Sequence, residues 1–125
     1  MIVGTGTDIT EVQRIAKSIE RFGQRFLQRV YTAKEIAYCQ SKRNSAERFA
    51  ARFAAKEAAM KAIGTGLRHG VTWHDVEVGR EPSGRPTIIF SGKAAGFAAR
   101  LGGKRVSLSL SHTEHLAIAQ VILES

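Results

Sequence analysis

Residues 48–66, Arg48-Phe-Ala-Ala-Arg-Phe-Ala-Ala-Lys-Glu-Ala-Ala-Met-Lys-Ala-Ile-Gly-Thr-Gly66, decide the fold. Alanine is the strongest helix former and no breaker interrupts the run before Gly64, so the stretch predicts one long helix. Asn44 with Glu47 reads as a capping box at its start, and Gly64 with Gly66 supplies left-handed residues to end it. At about 100° per residue, Phe49, Phe53, Met60 and Ile63 form one apolar stripe. Glu57 and Lys61 share a second face with Ala50, Ala54 and Gly64. A surface Glu-Lys pair at i,i+4 is the ordinary reading of that second face. The small neighbours point elsewhere, because alanine and glycine leave a shallow trough that a backbone or ligand can approach. One face is expected to pack and the other to carry chemistry.

Working outward, the chain has 125 residues, enough for one core and too few for two. A hydrophobic share of 43% and a charged share of 24% are those of a globular protein and exclude disorder as the default. Nineteen Lys and Arg against eleven Asp and Glu give a formal +8, which favours anionic partners: nucleic acid, phosphorylated cofactors or an acidic protein. The single Cys39 has no intrachain disulfide partner, as suits a reducing compartment. No apolar run reaches the roughly 18 residues of a membrane span, and no signal peptide is evident, so a cytoplasmic location away from membranes is expected.

Before the helix, Ile2 to Ile9 alternates as a strand, with Gly4, Gly6 and Asp8 on one side. Thr10 with Gln13 reads as a capping box for a helix whose apolar side is Val12, Ile15, Ile19 and Phe22. Its outer side, with Arg14, Lys17 and Arg21, is basic, and Arg25 and Arg29 follow. This is a solvated face or a docking site for an acidic partner. Thr32 with Glu35 makes a third capping box. After the central helix, Trp73 to Val78 and Thr87 to Phe90 form a hairpin-like pair, and Ser91 is placed to cap a helix that ends at Gly102. Val106, Leu108 and Leu110 alternate with serines, and Leu116 to Leu123 is apolar on both faces, which calls for cover on both. These elements predict an α+β fold: a single domain over residues 1–125, with the long helix packed on a mostly antiparallel sheet that a neighbouring subunit completes.

Asp8 and Glu57 are the best carboxylate pair for chemistry. If they converge, two hard oxygen ligands suit Mg²⁺, and Lys61, one turn beyond Glu57, would reach phosphates bound there. Gly4 and Gly6 lack the third glycine of a dinucleotide fingerprint. His112 and His115 lack a third ligand for zinc, and His112 beside Ser111 is no hydrolase triad. A phosphate-binding histidine at a turn suits the basic chain; a solvent-exposed turn histidine is the alternative.

Together Gly4-Thr-Gly-Thr-Asp8-Ile, Arg52-Phe-Ala-Ala-Lys-Glu57-Ala-Ala-Met-Lys61-Ala, Gly84-Arg-Pro86 and Leu110-Ser-His112, followed by Ala117-Ile-Ala-Gln-Val121, resemble the small bacterial holo-acyl-carrier-protein synthases, which are 4'-phosphopantetheinyl transferases. The resemblance covers almost the whole chain, in order. It implies Mg²⁺-dependent transfer of phosphopantetheine from coenzyme A to a serine of apo acyl carrier protein. It places the metal on Asp8 and Glu57, makes Lys61 the site lysine, and puts Arg52 and His112 on coenzyme A phosphates with Pro86 and Ser111 near the same ligand. It also implies a homotrimer with sites between subunits. The carrier is acidic in that family, so Arg14, Arg21 and Arg25 are its expected docking face. The rivals are a small basic nucleic-acid-binding module, which lacks any RNP, KH or zinc-finger pattern, and a non-catalytic homologue that only binds the carrier.

Overall fold

The computed structural model describes residues 1–125. Strand β1 (Ile2–Glu11) runs straight into α1 (Val12–Phe22), followed by α2 (Gln24–Val30), α3 (Ala33–Gln40) and the central α4 (Ser45–Ala62). A 3-10 turn at Trp73–Asp75 opens the hairpin β2 (Val76–Arg80) and β3 (Pro86–Phe90). Helix α5 (Gly92–Arg100) and strands β4 (Arg105–His112) and β5 (Leu116–Glu124) complete the chain. All strand pairs are antiparallel, in a three-stranded sheet of order β1-β5-β4 and a separate two-stranded β2-β3.

Helix α4 belongs to two cores. Its Ala54, Ala58, Ala62 and Met60 pack with both sheets and α5, while Phe49, Ala50, Ala51 and Phe53 pack with α1, α2 and α3. Every residue from Phe49 to Met60 except Glu57 is buried. The expected division into a packing face and a working face is therefore corrected. Alanines all round let strands and helices approach on every side, and the polar work is confined to single positions between them.

The capping boxes fare unequally. Thr32 and Glu35 form theirs, with Thr32 Oγ1 accepting from Glu35 N and Glu35 Oε1 accepting from Thr32 N. Thr10 and Gln13 do not: β1 continues through Glu11, and Thr10 Oγ1 donates to Asp8 Oδ2 at 2.9 Å. Nor does Asn44 cap α4, since its Oδ1 accepts from Arg48 Nε instead. Ser91 stands at the N-cap of α5 without a side-chain cap bond. Gly64, at φ +79, ends the α4 region in the left-handed conformation expected of it.

Apolar on both sides by sequence, β5 buries only one within the chain. Ala117, Ala119, Val121 and Leu123 face α4, whereas Leu116 and Ile118 are 48% and 42% exposed. Ile118 pairs in register with Ile9, itself 63% exposed. An apolar strip thus lies open on the outer face of the sheet.

Candidate active site

The glycines of β1 build the site by what they lack. A Cβ on Gly4 would stand 2.0 Å from the carbonyl oxygen of Ala62, and one on Gly6 would stand 1.8 Å from that of Ala58. The strand therefore lies backbone to backbone on α4, which only glycine permits. Two residues further on, the same face carries Asp8 to the open end of the contact, beside Lys61. Lys61 Nζ donates to Asp8 Oδ1 at 3.1 Å and to the Thr7 carbonyl at 2.9 Å. With Thr10 on Oδ2, both carboxylate oxygens of Asp8 are held.

Glu57, half-buried one turn before Lys61, completes the group. Burial pushes its carboxyl above the ordinary value, the nearby charge of Asp8 adds to the rise, and Lys61 and Arg14 oppose it. Beside it opens a cavity of about 150 Å³ lined by Glu57, Met60, Lys61, Gly66 and Leu67. Glu57 on the rim of that cavity and Asp8, whose charge it senses, form a hard-oxygen donor set that a divalent cation fits. No third His, Cys, Asp or Glu joins them, so the other positions around such an ion would fall to water and substrate oxygens, as Mg²⁺ prefers.

The remaining expected ligand residues are not at this corner. Arg52, only 5% exposed, faces the other way from α4, with its guanidinium 4.2 Å from the centre of the Tyr38 ring. Arg80 stacks on the same ring at 4.2 Å and bonds its hydroxyl, which also accepts from Arg48 Nη1 at 3.3 Å. The chain's ion pairs are Lys56–Glu35, Lys61–Asp8 and His112–Glu47, so these three arginines gather around one aromatic ring with no carboxylate to neutralise them. Such a cluster has the chemistry to hold an anion. Pro86 joins it through the hairpin, as the register partner of Arg80. His112 lies apart, with Nδ1 3.0 Å from Glu47 Oε1. Ser111 is exposed while Leu110 and His112 are partly buried, so the two neighbours point to opposite faces of β4.

The basic face is as expected in position and different in character. Arg14 leans over the Phe53 ring, 5.5 Å from its centre, and its charge reaches Glu57. Arg21 stacks on Phe22 at 5.2 Å. Phe22, expected in the core, is 49% exposed. It lines a cleft of about 520 Å³ with Ser18, Arg25, Phe26 and Arg29. Residues that sequence reading passed over are thus Tyr38, Arg48 and Arg80 at the anion seat, Thr10 beneath Asp8, Glu47 beside His112, and Phe22 in the basic cleft. Arg48, four residues before Arg52 on the same helix, was a local trace of the first group. Arg80, 42 residues from Tyr38, left none.

Comparison with known proteins shows the family. Residues 4–120 match the 4'-phosphopantetheinyl transferase superfamily. The chain is 73% identical to the holo-acyl-carrier-protein synthase of Koribacter versatilis over 124 residues, covering 99% of each. The crystal structure of the Neisseria meningitidis holo-acyl-carrier-protein synthase is similar over 100% of both chains, with 36% identity and a TM-score of 0.89. That of Helicobacter pylori in complex with coenzyme A is similar over 96% of this chain and 99% of its own, with 31% identity and a TM-score of 0.83. With its Gly4-x-Gly6-x-Asp8 strand laid on the Glu57 and Lys61 helix, the chain belongs to the 4'-phosphopantetheinyl transferase superfamily and to its holo-acyl-carrier-protein synthases.

Proposed function

We propose that this protein transfers the 4'-phosphopantetheine group of coenzyme A to a serine of apo acyl carrier protein, releasing adenosine 3',5'-bisphosphate. The observation that carries the reading is the convergence of Asp8 from β1 with Glu57 and Lys61 from α4 on one corner. Asp8 and Glu57 would hold Mg²⁺, whose chemistry when bound is to offset the pyrophosphate charge and polarise the phosphorus-oxygen bond that breaks. Lys61, half exposed and free to turn from Asp8 to a phosphate oxygen, offsets the charge that develops on the leaving bisphosphate. The carrier serine oxygen attacks phosphorus, its proton passes to Glu57, and the bond to the bridging oxygen breaks. Glu57, half-buried at that corner, is the carboxylate placed to take that proton.

The anion seat of Arg48, Arg52 and Arg80 around Tyr38, with Pro86 beside it, suits a phosphate of coenzyme A. So does His112. Since these residues and Asp8 do not line one pocket of a single chain, they are read as contributions to sites shared between subunits. The open apolar strip of Ile9, Leu116 and Ile118 is the surface such an assembly, read as a homotrimer, would cover. Arg14, Arg21 and Arg25, with Phe22 and Phe26 exposed or half-buried among them, form the docking face for an acidic carrier: charge steers it and the aromatic cleft anchors it. No helix is long and apolar enough to cross a membrane.

The test is the intact mass of a purified apo acyl carrier protein after incubation with this protein, coenzyme A and Mg²⁺. A gain of one phosphopantetheine that EDTA prevents is expected. No gain with several folded carriers would leave a non-catalytic carrier binder.

A further inference from the structure

Glu47 stands in the first turn of α4 at the place of a capping-box glutamate, yet it has no bond to the Asn44 backbone. Its carboxylate instead reaches 65 residues along the chain to His112, the last residue of β4, with Oε1 3.0 Å from Nδ1. Both side chains are about a quarter exposed, at 24% and 22%. His112 Nε2 has no hydrogen-bond partner within the chain. The ring is therefore fixed by one nitrogen and open at the other. Arg43 and Asn44 of the same cleft do not bond Glu47, and Asn44 is engaged by Arg48, so His112 is its single side-chain partner.

We infer that Glu47 is a positioning residue for coenzyme A: it accepts Nδ1–H of His112, sets the ring plane and aims Nε2–H at a phosphate oxygen. The inference rests on the reading that His112 holds a coenzyme A phosphate. A histidine that donates from both nitrogens bridges two anions, and the protein-side carboxylate stands ready before the ligand arrives. A histidine without such a partner would spend binding energy on fixing its own rotation. The bond also ties the end of β4 to the first turn of α4, so the ring and Arg48 of that turn are set from one base.

The test compares Glu47→Ala, Glu47→Gln, His112→Ala and the double variant in steady-state transfer with Mg²⁺, varying coenzyme A and carrier separately. Glu47→Ala is expected to raise the KM for coenzyme A about tenfold, the effect of losing one charge-assisted hydrogen bond, with the KM for carrier and the melting temperature nearly unchanged. Glu47→Gln, whose amide oxygen still accepts from Nδ1–H, should retain most of the affinity. His112→Ala should raise the same KM at least as far, and adding Glu47→Ala to it should do nothing more. If His112→Ala raises the KM for coenzyme A while Glu47→Ala leaves it unchanged, the positioning role is overturned and the phosphate reading stands. If His112→Ala has no effect, the phosphate reading of His112 itself fails. A lowered melting temperature and an equal rise in both KM values for Glu47→Ala, unrescued by Glu47→Gln, would make Glu47 a structural residue only.

Discussion

The Cα hydrogen of Gly6 faces the Ala58 carbonyl so closely that a methyl group in its place would lie 1.8 Å from that oxygen. The obstacle is backbone on a helix buried on nearly every side, so it has nowhere to go. Gly6→Ala must push β1 off α4 and carry Asp8 away from Lys61. We expect a loss of about 3 kcal/mol in stability, at the upper end for overpacking, and a melting temperature lower by about 10 °C. A melting temperature within about 2 °C of the parent would contradict the contact.

Lys61 is a separate case, because chemistry and stability part company there. Its side chain is 52% exposed, and so open an ion pair contributes at most about 1 kcal/mol. Lys61→Met should leave thermal unfolding almost unchanged and lower kcat by about 10²- to 10³-fold, the scale of losing one charge-stabilising group at a reacting centre. Asp8→Ala should abolish transfer with the fold intact. Full activity in Asp8→Ala would sink the metal assignment.

The Glu57 carboxyl, raised above 4.5 first by burial and then by Asp8, makes a pH prediction for the metal-free protein in EDTA. Between its unfolded value and its raised folded value, the folded chain binds more protons than the unfolded one. Stability contributed by this group is therefore present at low pH and lost as pH rises through that window. Glu57→Gln should flatten that slope in chemical denaturation across pH 4 to 7, a range of about three units around the ordinary carboxylate value. Asp8→Asn should lower the titration midpoint of Glu57, read by carboxyl NMR, without abolishing the rise that burial causes. An unchanged midpoint would mean the two carboxylates do not sense each other.

Carrier docking is tested better at Arg25 and Phe22 than at Arg14, whose charge also acts on Glu57. Arg25→Glu and Phe22→Ala each change one wall of the cleft between α1 and α2. We expect either to raise the KM for an acidic carrier about tenfold while the KM for coenzyme A stays put, with the charge reversal alone weakening as salt increases. An equal rise for both substrates would place docking elsewhere.

Much of the site was legible because it is written at short range. Gly4, Gly6 and Asp8 share a strand face by the two-residue period, Glu57 and Lys61 share a helix face by the four-residue one, and the Thr32–Glu35 box formed as expected. Those periods are covalent geometry and hold wherever the element forms. The same local code misread Thr10 and Glu47, which have the right residue at the right spacing for capping and instead serve Asp8 and His112. It also had nothing to say of Lys56. That residue is fully buried on the helix and paired at 2.7 Å with Glu35, whose other oxygen accepts from Val78 N. A lysine inside a core is stable only with such a partner, and its partner is 21 residues away in sequence.

The sequence by itself determined the order and type of the elements except α2 and the 3-10 turn at Trp73–Asp75, the delivery of Asp8 by a glycine strand, and the charge that asks for acidic partners. Tertiary structure alone decided which polar groups meet: Lys61 with Asp8, Glu47 with His112, and three arginines around Tyr38. It also decided that Phe22 faces outward and that Ser111 and His112 face apart. The reason is that hydrogen bonds and ion pairs between distant segments depend on where packing leaves a polar side chain a few ångströms from another. Local periodicity fixes the face of an element but not the neighbour it will find there.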